Sequence, residues 1–514
     1  MTVGSTSPTG PAADDTEAGV DVVVVGSGNA GASAALAARE RGCSVLVVDR
    51  APIEWAGGNS YFTAGAFRTT YDSLDDIRRL VAMSDEEAAA IDIPAYSVED
   101  FRGDLARVTE GRADPALSDV VAGEAASALA WLAAAGVEWE LMAARQSFAV
   151  GGRRRYWGNL VIGARGGGKG LVEAEHIAMR NAGIRIGFET AFDDFITEER
   201  QVRGVVVASG GRRRAIPAGA VILASGGFQA DPARRAAYLG PGWDLAKVRG
   251  TPWNTGGPLF RALDLGAAPS GHWSGAHAIS WDAAAPASGD RVVTNRYSRQ
   301  GYPFGLMVNR EGRRFVDEGA DFRNYTYARY GAEVLRQSGA LAYQLFDADS
   351  IQYVSSVDYD TAVSSRTEAQ SLDALAATID VDAPTLLASI AAFNASVNDR
   401  PFDPTIKDGR GTVGIEPPKS NWALPLTRPP FVAFAVTCGI TFTFGGLRVD
   451  SQAAVVGSDG RPIDGLFAAG EIVGGLFYHN YPGGSGLTAG TVLGRRAGAA
   501  AAAIAIAGRQ AAAG

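Results

Sequence analysis

Val22-Val23-Val24-Val25-Gly26-Ser27-Gly28-Asn29-Ala30-Gly31 is the stretch on which the fold turns. Four consecutive valines have the composition of a buried strand, and the glycines at 26, 28 and 31 follow at GxGxxG spacing. The three glycines act differently. The first permits a tight turn, the second lets backbone approach a pyrophosphate, and the third lets a helix meet the strand. The Ala-rich run from Ala32 to Arg41 has good helix propensity, and Ser44 to Val48 reads as a second strand. Strand, glycine turn, helix and strand make a βαβ unit, and in that setting the fingerprint predicts a dinucleotide site at the helix N-terminus. Asp49 ends the second strand 23 residues after Gly26. A carboxylate there accepts hydrogen bonds from a ribose 2′-OH and disfavours a 2′-phosphate.

Working outward, Val205 to Val207, Ala220 to Ser225 and Gly465 to Ala469 read as further buried strands bounded by glycine. Between about residue 240 and about residue 440 the chain is richer in Trp, Tyr, Arg and Pro, with helices expected from Leu372 to Val397. At 514 residues it exceeds what one hydrophobic core usually serves. The expected fold class is therefore α/β, a Rossmann-like nucleotide domain interrupted by an α+β capping domain. Residues 1–18 are expected as a disordered tail, 19–270 as the first part of the nucleotide domain, 271–440 as the cap and 441–514 as the return. The tail is Ser, Thr, Gly, Pro, Ala and acid, without the basic and apolar regions of a signal peptide. The Ala-rich stretch from Arg495 onward reads as a helix packed on the nucleotide domain, or as a frayed end.

Composition excludes several function classes. Lys plus Arg is 47 and Asp plus Glu is 56, so the formal charge of −9 argues against nucleic acid or an anionic membrane surface as the main partner. An anionic small molecule remains open, because local arginine clusters matter more than the total. Cys43 and Cys438 are the two cysteines, in neither a metal nor a CxxC spacing, which fits a reducing cytoplasm. No apolar run is read as reaching the roughly 20 residues of a bilayer span, so no membrane insertion is expected. A CxxCH haem site is absent, so electrons would pass to or from a separate protein, a quinone or another diffusible partner.

GxGxxG alone does not separate NAD from FAD; later segments do. Gly57-Gly58-Asn59-Ser60 lies one short loop beyond Asp49. Ala224-Ser225-Gly226-Gly227 ends a buried strand with small residues, and Gly465 to Glu471 ends another with Gly470 and an acid. These suit close approach of a ribityl-phosphate chain to backbone. Gly483-Gly484-Ser485-Gly486-Leu487-Thr488 opens the last helix, whose amides favour negative charge on a flavin pyrimidine ring. The cofactor expected is FAD. Candidate contacts are Gly26, Gly28, Asn29, Ala30, Gly31, Asp49, Arg50, Gly57, Gly58, Asn59, Ser60, Gly65, Ala191, Ala224, Ser225, Gly226, Gly470, Glu471, Gly484, Ser485, Gly486 and Leu487.

Taken with Phe315-Val316-Asp317-Glu318, Gly445-Gly446-Leu447 and Ala469-Gly470-Glu471, these segments resemble the fumarate reductase/succinate dehydrogenase flavoprotein family from Asp21 to Gly498. Trp55 to Ser60, Thr441 to Gly446 and Tyr478 to Ser485 look most like its tricarballylate dehydrogenase branch. The resemblance implies a mobile cap, with flavin and substrate at the domain junction, and hydride and proton exchanged across adjacent carbons. Succinate dehydrogenases tether flavin to a histidine near the second glycine loop; Ser60 to Gly65 has none, which implies non-covalent FAD. In fumarate reductases an arginine stands seven residues after the Phe that corresponds to Phe315 of the Phe315-Val316-Asp317-Glu318 segment. Phe322 stands there, so the proton-transfer role is carried to Arg323 with a one-residue insertion. The plain alternative is an Arg323 ion pair with Asp321 or Asp317 at the surface.

Two departures bear on substrate. Where the family has His-Thr-x-Gly-Gly, this chain has Phe442-Thr443-Phe444-Gly445-Gly446; where it has Asn-Arg-Leu-Gly-Gly, this chain has Asn480-Tyr481-Pro482-Gly483-Gly484. A phenol does not replace the planar cationic fork of a guanidinium, so a simple C4 dicarboxylate clamp is in doubt. The candidate catalytic set is Arg323, Tyr481, His277, His479 and Thr443. His277 is equally readable as a structural histidine, and Arg153-Arg154-Arg155 with Arg165 as a solvated turn.

The leading expectation is interconversion of a CH–CH and a C=C bond in a carboxylated small molecule, tricarballylate-like. Tyr481-Pro482-Gly483 also resembles 3-ketosteroid dehydrogenases, where such a tyrosine helps enolise a ketone, and Phe442 and Phe444 suit an apolar ligand. A third reading is a flavin electron-transfer subunit without substrate chemistry. No second GxGxxG beside a strand points to a nicotinamide nucleotide as direct reductant.

Overall fold

The valine run lies inside a nine-stranded sheet. A computed structural model describes Asp15, Thr16 and residues 18–513. In it β1 (Val20–Val25) leads through the glycine turn into α1 (Asn29–Glu40) and then β2 (Val45–Val48). β1 is flanked in parallel by β2 and by β3 (Arg212–Leu223), with Val22 opposite both Val45 and Ala220. Val22 to Val25 are all buried, as expected of a strand covered on both faces. After β4 (Pro269–Asp282) and β5 (Phe431–Leu447) in the cap, the chain returns as β6 (Pro462–Ala468), which pairs with β3 on the side away from β1. The carboxyl ends Val25, Val48, Leu223 and Ala468 are thereby in register at one edge. Ligands of open α/β sheets bind at that edge.

The last element, α2 (Ser485–Ala513), is a single helix of 29 residues that starts ten residues before the expected Arg495. Its small side chains serve close packing. A Cβ on Gly494 would stand 2.5 Å from the Ala30 carbonyl oxygen, and one on Gly498 2.2 Å from that of Ala34. α1 and α2 therefore meet backbone to backbone, which explains an Ala/Gly composition that resembles a frayed end.

The cap is built on a six-stranded sheet in which β5 pairs with four other strands. β4 runs antiparallel to β5 and sets His272 opposite Phe444 and His277 opposite Phe442. The expected helices are Leu372–Thr378 and Ala383–Ser396, whose Leu375, Leu386, Ile390 and Phe393 fill a core belonging to the cap. The expected boundaries at 270/271 and 440/441 fall inside β4 and β5, and Lys247–Val248 already pairs with β5, so the cap sheet extends past both limits. Two residues of the expected tail are in the sheet: Asp15 and Thr16 pair in parallel with Arg214 and Ala215. Most of that tail lies outside the described residues. One helix, Pro115–Ala134, does reach the length and apolarity of a bilayer span, contrary to expectation. It buries Leu117, Val121, Ala125, Leu129 and Leu132, and Glu124 pairs with Arg496 of α2, as befits a helix of the folded core.

Candidate active site

A cavity of about 360 Å³ begins at the carboxyl ends of the strands and continues to the cap. Its nucleotide end is mostly backbone. Gly26 has φ +106°, and a Cβ there would lie 2.4 Å from the Ala224 carbonyl oxygen; a Cβ on Gly31 would lie 2.0 Å from that of Gly26. Asp49 accepts from the Ser27 N–H at 3.0 Å, the Ser27 hydroxyl at 2.5 Å and the Ala51 N–H at 2.9 Å, and it lines the cavity. Asn29 ties three distant segments together. Its N–H donates to Ser60 Oγ at 3.1 Å, its Nδ2 to the Leu487 carbonyl at 2.9 Å, and its Oδ1 accepts from Thr491 Oγ1 at 2.9 Å. Asn59 links the second glycine loop to the cap, accepting from the Thr251 N–H at 2.9 Å and donating to the Thr441 carbonyl.

Of the expected cofactor contacts, Gly26, Gly28, Asn29, Ala30, Asp49, Arg50, Gly58, Asn59, Ser60, Ala191, Ala224, Ser225, Gly226, Gly470, Glu471, Gly484, Gly486 and Leu487 line this cavity. Gly31, Gly57, Gly65 and Ser485 are behind its wall. Gly31 faces Gly26, Gly57 packs on Val172, Gly65 on Gly167, and Ser485 Oγ donates to the Pro482 carbonyl. These four shape the wall without reaching its surface. Ser225 Oγ and Thr443 Oγ1 are buried without hydrogen-bond partners, and both residues line the cavity. Unclaimed hydroxyls beside a glycine-lined path fit the polar chain of FAD. Burial raises the Glu471 carboxyl to about 8, against opposing donors that include the Thr443 N–H at 3.0 Å and Gln229 Nε2 at 3.2 Å.

The cap-facing end is mostly side chain. Arg323, 6% exposed, is buried rather than paired at the surface, and Asp321 pairs instead with Arg107 and Lys407. Arg323 Nη1 stands 3.7 Å from Asp358 Oδ2, and Arg145 Nη2 stands 2.8 Å from Asp358 Oδ1. The Arg323 guanidinium also donates to the Arg145 carbonyl. Neither Asp358 oxygen has an aligned hydrogen bond, so this is an ion-pair contact with acceptor capacity left over. Burial, helped by Arg145 and opposed by Asp358, pushes the Arg323 guanidinium below its ordinary value. Glu318, in the segment that carried the resemblance, is elsewhere: it pairs with Arg314 at 2.6 Å and accepts from the Met307 N–H.

His277, Phe442 and Tyr481 form one aromatic wall. The His277 and Phe442 rings stack at 5.0 Å, and Tyr481 meets His277 edge-on at 4.9 Å. Burial and then Arg249 hold His277 well below the ordinary imidazole value, so it is neutral, and its Nδ1 has no partner. The Tyr481 hydroxyl accepts from the Gly484 N–H at 2.8 Å, which orients the phenol and leaves its proton to donate. The turn around it is tied to both domains: Asn480 Nδ2 donates to the Tyr325 carbonyl and the Gly483 N–H to that of Asn324 at 2.7 Å in the cap, and buried Arg68 Nε of the nucleotide domain donates to the Gly483 carbonyl at 2.8 Å.

His479 is the correction in the catalytic set. It lies outside the cavity wall with φ +60°, its N–H donating to His272 Nδ1 at 3.1 Å and its ring 3.8 Å from Glu110. Its neighbours hold the loop. Arg145, Arg249, Asn295, Tyr327 and Asp358 are functional candidates that the sequence reading missed. The first four line the cavity, and the fifth joins two of its arginines. No local pattern marks them. A second cavity of about 350 Å³ also has Arg145 and Arg323 in its wall, with Arg154, Trp157, Tyr353 and Ser355 beyond.

Fold and site together define a two-domain flavin-type nucleotide-binding oxidoreductase. The chain belongs to the family described as FAD binding domain, whose pattern matches residues 21–487. It is 28% identical to a fumarate reductase (cytochrome) of Shewanella frigidimarina, over 93% of this chain and 76% of that protein. It is 26% identical to the 4-oxocyclohexanecarboxylate 2-dehydrogenase of Sinomonas cyclohexanicum, over 92% of this chain and 91% of that one. Its fold matches the open conformation of a flavocytochrome c3 fumarate reductase with a TM-score of 0.71 and 25% identity, covering 96% of this chain and 79% of the other. The protein is an FAD-dependent oxidoreductase of the CH–CH class.

Proposed function

We propose that the protein interconverts CH–CH and C=C bonds in a carboxylated aliphatic substrate resembling tricarballylate. The carrying observation is the Arg145–Asp358–Arg323 group, in which buried Arg323 and partly buried Arg145 share one buried carboxylate at the end of the cavity that faces the cap. FAD, when bound, supplies the acceptor or donor of a hydride at one carbon. Arg323 handles the proton at the neighbouring carbon, giving it in the reducing direction and taking it in the oxidising one. An ordinary arginine, with a pKa above about 12, exchanges protons poorly. Burial of Arg323 and the nearness of Arg145 work against its charge, and Asp358 stands ready to pass the proton on. The second cavity, meeting the first at Arg145 and Arg323, supports a path from this group toward Arg154 and Ser355. Electrons would go to or come from a separate protein or a quinone. A reducing cytoplasm suits Cys43 and Cys438, both buried free thiols.

One observation favours a second reading. The oriented Tyr481 phenol, with Phe442, Phe444 and Phe477 around it, suits a ketone carbonyl in an apolar slot, and the relative from Sinomonas is named for an oxo acid. Dye-linked turnover with tricarballylate and with a 3-ketosteroid, in wild type and Tyr481→Phe, separates the two. We expect tricarballylate to be oxidised, and the substitution to lower its rate less than about tenfold, the cost of one neutral hydrogen bond. Oxidation of the ketosteroid alone, abolished by Tyr481→Phe, would overturn the first reading in favour of the second.

A further inference from the structure

We infer that Arg249 and Asn295 form a second carboxylate subsite, so that the substrate carries at least two carboxylates; this rests on the carboxylate reading above. Arg249 is 6% exposed and lines the cavity beside His277, Thr441 and Phe442. Its Nε donates to Asn295 Oδ1 at 3.0 Å, one terminal nitrogen donates to the same oxygen, and the other donates to Thr441 Oγ1 at 3.0 Å. All of these acceptors are neutral. Among the described residues no Asp or Glu oxygen comes within 4.0 Å of it, whereas Arg145 and Arg323 share Asp358. A guanidinium has five N–H donors, so Arg249 keeps two unassigned. Asn295 Nδ2 beside it is also buried without a partner. Stripping a guanidinium of water without a counter-charge is costly, and an anion entering the cavity removes that cost.

The charge count at this end gives the number of carboxylates. With Arg323 protonated, as it is before it gives its proton in the reducing direction, Arg145, Arg249 and Arg323 carry three positive charges against the single negative charge of Asp358, which leaves two. One belongs to the Arg145–Arg323 group and the other to Arg249, so two substrate carboxylates balance them and one does not. The subsite also answers the departures at Phe442 and Tyr481: cationic recognition is relocated from those two positions to a strand edge beside Thr441. Asn295 fixes the Arg249 guanidinium plane through one oxygen and so positions it.

The FAD-loaded protein, Arg249→Gln and Arg249→Lys are titrated anaerobically with tricarballylate, glutarate and butyrate, following flavin bleaching. KM and kcat are taken with a dye acceptor, and FAD content and flavin potential are measured alongside. We expect wild type to respond to the two polycarboxylates and far less to butyrate. Arg249→Gln should raise KM for tricarballylate by about 10²-fold or more, as loss of one partner of a buried charge pair does. Its kcat should change much less, Arg249→Lys should recover part of the loss, and FAD content and potential should stay as in wild type. An unchanged KM in Arg249→Gln, with wild type still bleached by tricarballylate, would overturn the subsite alone. A shifted potential or lost FAD with unchanged KM would assign Arg249 to the cofactor. Absence of any response of wild type to carboxylates would overturn both this inference and the reading beneath it.

Discussion

Along the nucleotide end of the cavity the wall is main chain and glycine, delivered by four strand ends in register, whereas the cap-facing end is made of Arg145, Arg249, His277, Arg323 and Tyr481 from five separate segments. The first region recognises a shape that every bound dinucleotide shares, so it tolerates no added volume. The second recognises charge and polarity particular to one substrate, and its members can be exchanged while the frame stands. Phe442 illustrates this: it occupies the strand position opposite His277, and the β4–β5 pairing continues on either side of it.

The comparison breaks first if the glycine end is filled. Gly31→Val puts carbon into a space where a Cβ would already be 2.0 Å from the Gly26 carbonyl oxygen. We expect the protein to be recovered without FAD, measured as flavin per chain after gel filtration; full occupancy would show that the turn relaxes around the added volume. A single Arg323→Ala substitution at the other end should retain the yellow chromophore and lower kcat by about 10²–10⁴-fold, the usual worth of a positioned acid–base group. Equal loss of flavin and of turnover would erase the distinction between the regions.

The smallest effect concerns Glu471, which sits between them. Its carboxyl is raised from about 4.5 in the unfolded chain to about 8 in the folded one, chiefly by burial. The folded state therefore holds a proton that the unfolded state has lost. Its contribution is fully present below about 4.5 and is lost as pH rises toward about 8, by at most about 1.4 kcal/mol per pH unit. Chemical denaturation of the holoprotein should show wild type weakening relative to Glu471→Gln between about pH 5 and pH 8. Parallel curves would mean that the Thr443 N–H, Gln229 and the other donors around it keep the carboxylate charged throughout.

The legibility of the two regions in the sequence differs for the same physical reason. Gly26 to Gly31 and Asp49 are local features: a tight turn, a close helix and a strand end each demand a residue type at a fixed spacing, and the structure puts Asp49 and most of these glycines at the cavity. Gly57 and Gly65 carry the same local signature but serve contacts with Val172 and Gly167, which spacing does not reveal. Arg145, Arg249 and Asp358 have ordinary neighbours in sequence and meet only after the cap has folded over the nucleotide domain. His479 errs in the opposite direction, since it adjoins Asn480 and Tyr481 in sequence while its side chain turns to His272 and Glu110.

In this reading a flavin site of general form is coupled to a polyanionic substrate site at the cap. Its most direct test is the anaerobic flavin spectrum of the FAD-loaded protein during addition of tricarballylate. Bleaching should saturate with substrate and reverse on adding an oxidising dye. Bleaching by a 3-ketosteroid, with none by tricarballylate or any other polycarboxylate, would contradict it.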